Sequence, residues 1–154
     1  MLRGFISAFT VYCLLVVLPD CGLTQVPGCT TAQARHAEDQ TDHLHTWDSL
    51  YKWYKAYQRC DDGGIAEGIS EDVGRILADH WSTLPRFDQL ARQDAGFKKF
   101  IIKHVDTTLR DDDLKKIMEN ANTKCPTGLQ SICGELRKQA NTALAESDYP
   151  DKKS

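Results

Sequence analysis

Acidic side chains are concentrated in one short stretch of this chain. Five of them lie within a dozen residues: Asp61, Asp62, Glu67, Glu71 and Asp72. Two carboxylates can act as general acid and general base in the hydrolysis of a glycosidic bond. Acids beside a helix end or in a first helical turn already have a structural explanation. Glu67 has none, so it is the best candidate for a functional carboxylate, although an ion pair with Arg75 or a nearby lysine would also explain it.

His80 and Trp81 are the second candidate feature. His80 could pair with His104 or Glu67, or it could cap the carbonyl groups at a helix end, where its charge would suit the helix dipole. The sequence lacks a glycine-rich phosphate loop and a serine nucleophile motif. It also lacks the ligand spacing of a calcium loop or a zinc site. We therefore predict no catalytic set, no metal and no other cofactor, and we treat the residues of the acidic stretch and its end as a binding hypothesis: Asp61, Asp62, Glu67, His80 and Trp81.

The N-terminus is typical of a secretory signal peptide. Arg3 precedes an apolar run of about 14 residues, from Phe5 to Leu18, which is shorter than the roughly 20 residues that span a bilayer. We predict a signal peptide over residues 1–22, with the cleavage site left open. A lipid on Cys21 or Cys29 would tether the protein to a membrane, and the sequence leaves that open too.

Six cysteines are present, and Cys13 leaves with the signal peptide. If Cys21 also leaves, four remain: Cys29, Cys60, Cys125 and Cys133. An even number in an exported chain favours disulfides, because the compartment is oxidising. Cys125 with Cys133 is the easiest pair to close and would leave Cys29 for Cys60. The rival pairing joins Cys60 to one of the two later cysteines.

Helical periodicity dominates the rest of the chain. The aromatic residues from Asp42 to Arg59 recur at steps of three and four, which predicts a helix with an aromatic stripe facing the core. Gly63 and Gly64 are predicted to end that helix, and Ser70 to cap the next one, which Pro85 closes.

Three further residues predict the starts of later helices, namely Asp94, Asp111 and Thr127. No run of alternating β-branched residues predicts a strand. We predict an all-α domain of about five or six helices over residues 41–146, stapled by one or two disulfides. A polar tether at residues 23–40 precedes the domain, and a polar tail at residues 147–154 follows it.

Four segments carry a resemblance to known proteins: CDDGGIAEGISEDVGRILADHW, STLPRFDQL, FKKFIIKHVDTTLRDDDLKKI and CPTGLQSIC. They resemble a group of small exported helical proteins of Gram-negative bacteria, over about residues 54–136, whose activity has not been established. More distantly, the layout is similar to periplasmic immunity proteins of type VI secretion effectors. Those are small helical proteins, sometimes disulfide-bonded, that block a toxin's active site with a protruding acidic or polar loop. The resemblance implies a protein partner, and no functional residue is carried over.

These observations predict a non-enzymatic binding protein of the periplasm or cell envelope. Its partner would be a secreted toxin or wall hydrolase, for which it acts as an inhibitor or immunity protein. One alternative is a small hydrolase of cell-wall glycan that uses Glu67, and another is a structural envelope protein. A net charge of −3 without a basic stripe argues against nucleic-acid binding.

Overall fold

Seven α-helices and two short 3₁₀ helices form residues 28–147, which are the residues that this computed structural model describes. The α-helices are α1 (Thr31–Thr41), α2 (Trp47–Tyr57), α3 (Gly63–Asp79), α4 (Leu84–Gln93), α5 (Ala95–Lys103), α6 (Asp111–Thr123) and α7 (Gln130–Ser147). The 3₁₀ helices are Gln58–Cys60 and Trp81–Thr83. No strand occurs in residues 28–147, so the predicted all-α class is confirmed. The predicted signal peptide and residues 148–154 of the predicted tail lie outside the described residues.

The prediction of a polar tether over residues 23–40 is wrong for the part that the structure describes, because that part contains α1. Thr30 caps this helix reciprocally with Gln33, through hydrogen bonds of 3.2 Å and 3.0 Å. Ala37 is fully buried, and its carbonyl accepts a hydrogen bond of 3.0 Å from Trp53 Nε1. The helix therefore depends on its cap and on a few tertiary contacts, including the disulfide of Cys29, rather than on an apolar stripe.

Three predicted helix boundaries in and after the acidic stretch are also wrong. Ser70 does not cap a helix but is buried within α3, which begins seven residues earlier at Gly63. Asp62 caps α3 by accepting a hydrogen bond of 2.9 Å from the Gly63 amide. Gly63 does adopt the left-handed backbone expected of it, with φ +52°, but at the start of this helix. Pro85 lies in the first turn of α4 instead of closing the preceding helix.

Other local signals agree with the structure. Asp94 caps α5 by accepting hydrogen bonds of 3.0 Å and 3.1 Å from the amides of Gly96 and Phe97. Asp111 begins α6, and three aspartates occupy its first turn. Thr127 is the exception: the last helix starts at Gln130, three residues later, so the prediction that Thr127 caps it is wrong.

The aromatic stripe of α2 faces the core, as its spacing predicts. Trp47, Trp53 and Tyr54 are all buried. The Trp47 ring lies 4.9 Å from that of Phe87, and the Tyr54 ring lies 5.0 Å from that of Phe100, between ring centroids. These contacts pack α2 against α4 and α5 and hold the centre of the domain together.

Two disulfides staple the helices, Cys29–Cys60 and Cys125–Cys133. The first joins the residue just before α1 to the turn between α2 and α3, and the second closes the turn between α6 and α7. From the sequence, Cys125 and Cys133 are expected to close most easily, which leaves Cys29 for Cys60. The structure has this pairing and not the rival one. A lipid on Cys29 does not fit this structure, because its sulfur is bonded to Cys60, while Cys21 lies outside the described residues.

The disulfides indicate that the chain folds in an oxidising compartment, in agreement with predicted export. Among the described helices, none combines the length and the apolar character that crossing a bilayer requires.

Loss of the two disulfides should destabilise the protein unequally, because the unfolded chain gains more entropy from opening a longer loop. The bridges span 31 and 8 positions in sequence. Cys29→Ser with Cys60→Ser should lower the free energy of unfolding by about 4 kcal/mol, and Cys125→Ser with Cys133→Ser by about 2.5 kcal/mol. Urea unfolding of both double variants measures the difference. A larger loss from the second double variant would contradict the expected order.

Candidate functional site

The five predicted site residues do not form one cluster. Asp61 lies in a buried polar network, and Asp62 caps α3. Glu67 lines a groove between α3 and α6, whereas His80 lines a different cavity. Trp81 is 7% exposed, and its Nε1 donates a hydrogen bond of 2.9 Å to the carbonyl of Lys124, so it belongs to the core.

The buried network joins five side chains from three segments of the chain. Asp61 Oδ1 lies 3.2 Å from His104 Nε2, although the ring N–H is not aligned with that oxygen, so this contact is electrostatic rather than a straight hydrogen bond. His104 Nδ1 lies 2.8 Å from Ser70 Oγ, and Ser70 Oγ donates to Asp106 Oδ2 at 3.1 Å. Lys103 Nζ donates to Asp61 Oδ2 at 2.9 Å from the protein surface.

This network contains the residue types of a serine hydrolase but lacks the access that catalysis needs. Ser70 and His104 are each only 1% exposed, and Ser70 lies in the middle of α3. A nucleophilic serine must reach its substrate, with the histidine between it and the carboxylate. Because neither side chain is accessible from the surface, we interpret the network as a structural one.

Burial raises the pKa of the Asp61 carboxyl, whereas the contacts with His104 and Lys103 lower it. The two contacts together outweigh burial, so the pKa of Asp61 lies below its ordinary value. The charged carboxylate is therefore the form that the folded protein stabilises.

The change Asp61→Asn should lower the free energy of unfolding near neutral pH by about 1.5–3 kcal/mol, because Lys103 loses a charged acceptor and His104 loses the charged carboxylate beside it. The folded-state pKa of Asp61 lies below its unfolded value of about 3.9. Its stabilisation is therefore complete above that pH and is lost as the pH falls through the folded-state pKa. The difference between wild type and variant should shrink below about pH 4 in urea unfolding.

The control for this experiment is Glu119→Gln, which removes the charge of an exposed carboxylate on α6 outside the network and outside the first helical turn. Its effect on the free energy of unfolding should be small at every pH. If the destabilisation by Asp61→Asn were equally large well below pH 4, the charge of Asp61 would not be its cause.

The groove between α3 and α6 has a cavity volume of about 760 Å³. Its charged lining consists of four acids and three bases: Glu67, Glu71, Asp79, Asp113, Arg75, Arg110 and Lys116. All three bases have acidic partners. Arg75 contacts Asp72, Arg110 Nε lies 3.6 Å from Asp113, and Lys116 Nζ lies 3.2 Å from Asp79.

Glu67 and Glu71 are exposed, and neither has an ion pair or side-chain hydrogen bond within residues 28–147. The alternative in which Glu67 pairs with Arg75 is therefore wrong, because Arg75 Nη2 contacts Asp72 and lies 3.2 Å from His45 Nδ1. The two glutamates stand one helical turn apart and leave uncompensated negative charge on the α3 side of the groove.

The cavity at His80 is smaller, with a volume of about 380 Å³, and its lining includes His45, Asp48 and Arg86. His80 lies at the C-terminal end of α3, where its backbone amide donates to the Ile76 carbonyl. Its expected pairing with His104 or Glu67 does not occur, since both of those residues lie elsewhere. Asp48 is instead bound by Arg86, which lowers the pKa of the Asp48 carboxyl.

Reasoning from sequence missed Ser70, His104 and Asp106 as members of one network. Ser70 and His104 are 34 residues apart, and no local motif connects them. The one usable signal was that His104 falls on the apolar face of its helix, which predicts burial and therefore a polar partner.

Comparisons with protein-family models, with curated proteins and with solved structures found no match to this chain. The geometry and charge of its own residues therefore carry the functional argument.

Proposed function

We propose that the protein is a non-enzymatic binding protein of the cell envelope, and that it inhibits a secreted toxin or wall hydrolase or confers immunity to it. The observation that carries this proposal is the pair of exposed, unpaired carboxylates of Glu67 and Glu71 at the edge of a large groove. Because every base in the groove already has an acidic partner, a partner with a basic surface would meet net negative charge there. Complementary charge of this kind steers association and selects partners.

The rigidity of the scaffold supports the same function. The α3 side of the groove follows directly after Cys60 and Asp61, which are held by a disulfide and by the buried network. The helix on the other side of the groove, α6, ends two residues before Cys125, which is bonded to Cys133. A surface that is ordered before binding loses less conformational entropy on association, which favours affinity.

The hydrolase alternative receives less support from the same geometry. It needs a second catalytic group near Glu67. Glu71 lies one turn away in the same groove, but it is exposed like Glu67, so no difference in burial separates an acid from a base. Asp61, Asp62 and His80 are the other candidates near Glu67 in sequence. Asp61 is held by His104 and Lys103, Asp62 caps a helix, and His80 lines another cavity.

Reversal of one charge in the groove tests the proposal. We expect Glu67→Lys to weaken capture of the partner from an envelope extract of the producing cells by about tenfold or more, because like charges would then face each other. The captured protein should be a toxin or wall-degrading enzyme, and the wild-type protein should inhibit it. Capture is quantified by mass spectrometry and inhibition by release of cell-wall fragments.

The matched control is Glu119→Lys, which makes the same change at an exposed position of α6 outside the groove. This variant should capture the partner and inhibit its activity to the same extent as the wild type. Equal capture by both variants, or a captured protein whose activity the wild type leaves unchanged, would speak against the proposed function.

A further inference from the structure

A second, smaller pocket lies where the C-terminal end of α1 meets α3. It has a cavity volume of about 280 Å³ and six lining residues: Thr41, Asp42, Gly68, Glu71, Asp72 and Arg75. A Cβ atom added to Gly68 would lie 3.3 Å from Thr41 Cβ, so the absence of a side chain there lets the two helices approach closely. We call this site the α1–α3 pocket.

Asp72 is the unusual member of the α1–α3 pocket. The residue is only 4% exposed, and its Oδ1 is bound by Arg75. Its Oδ2 is buried and has no hydrogen-bond partner within residues 28–147. A buried carboxylate oxygen without a donor is unfavourable, and such atoms are rare in folded proteins. The oxygen has almost no accessible surface, so the carboxylate must turn toward the pocket before a donor supplied by a ligand can remove this penalty.

Two further features of the α1–α3 pocket favour a cation. Its rim carries the carboxylates of Asp42 and Glu71, while its one base, Arg75, is already bound to Asp72. The pocket also lies at the C-terminal end of α1, where the helix dipole is negative, and no basic residue occupies the last turn of that helix. Charge, dipole and the unpaired oxygen therefore point to the same ligand chemistry.

We propose that the α1–α3 pocket binds a cationic side chain, arginine or lysine, of a protein partner. A metal ion fits less well, because no three His, Cys, Asp or Glu side chains of the described range are arranged to hold one. An ammonium or guanidinium group brings several N–H donors, and these match carboxylate acceptors such as Asp72 Oδ2. This inference rests on the proposed function, since it adds an anchor beside the groove, with Glu71 lining both sites.

Short peptides test the α1–α3 pocket without knowledge of the partner. The probes are acetylated and amidated Gly-Arg-Gly, Gly-Lys-Gly and Gly-citrulline-Gly, added to the full disulfide-bonded protein labelled with ¹⁵N. The two cationic peptides should shift the amide resonances of Thr41, Asp42 and Asp72 in a saturable manner. The citrulline peptide has nearly the shape of the arginine peptide but no charge, and it should leave those resonances in place.

Three variants sharpen the test. Asp72→Asn should lower the affinity for the arginine peptide about tenfold, as expected for the loss of a hydrogen bond to a charged group. Asp42→Asn should weaken binding of the arginine peptide about threefold. Because Asp42 is exposed, this variant keeps the proposal testable if Asp72→Asn does not fold. Asp112→Asn on α6 lies outside the pocket and should bind as the wild type does.

Saturable shifts that are lost with the charge and weakened by these two variants support the anchor. Equal shifts from the arginine and citrulline peptides, or none from either cationic peptide, would overturn it. That failure would leave the proposed function standing, because the capture experiment depends on Glu67, which lines the groove and not the α1–α3 pocket.

Discussion

The structure depends on one covalent and electrostatic corner, formed by Cys60 and Asp61. Cys60 is bonded to Cys29 ahead of α1, and Asp61 contacts His104 and Lys103 at the end of α5. Two adjacent residues therefore connect the start of α1, the start of α3 and the end of α5. Among the residues of α1, only Ala37 is buried in the core. The disulfide at this corner is therefore a main contact that holds α1 against the rest of the domain. Both the groove and the α1–α3 pocket are built on α3, so their shape follows from the same constraint.

Charges are divided between two roles in this molecule. Inside, the carboxylate of Asp61 contacts Lys103 and His104 and its pKa is lowered, which ties its charge to folding. Outside, Glu67 and Glu71 have no partner among the described residues, and they add little to folding as exposed single charges. Carboxylates of the second kind are available to a partner. Under the proposed function, the same acidic stretch contributes a structural anchor, Asp61, and a binding surface that begins six positions later at Glu67.

The sequence predicted correctly those features that depend on residues close together in the chain. The aromatic spacing of α2, the cap Asp94 and the acids at the start of α6 are all read correctly, because each depends on neighbours within one or two turns. Ser70 was misread because a serine before two acids is a strong cap signal, yet Asp62 had already started the helix. The contact of Ser70 with His104 spans 34 residues and depends on helix packing, which no local pattern encodes. Likewise, α1 escaped prediction because its polar sequence shows no apolar period.

The central claim, that a partner protein docks on α3 beside the groove, is tested most directly by photo-crosslinking in the producing cells. A photo-reactive amino acid would replace Glu67 in the groove or, separately, Lys99 on the exposed face of α5. The account predicts a crosslink from position 67 to a secreted toxin or wall-degrading enzyme, and none from position 99. A crosslink to such an enzyme from position 99 alone, or no protein crosslink from position 67, would contradict it.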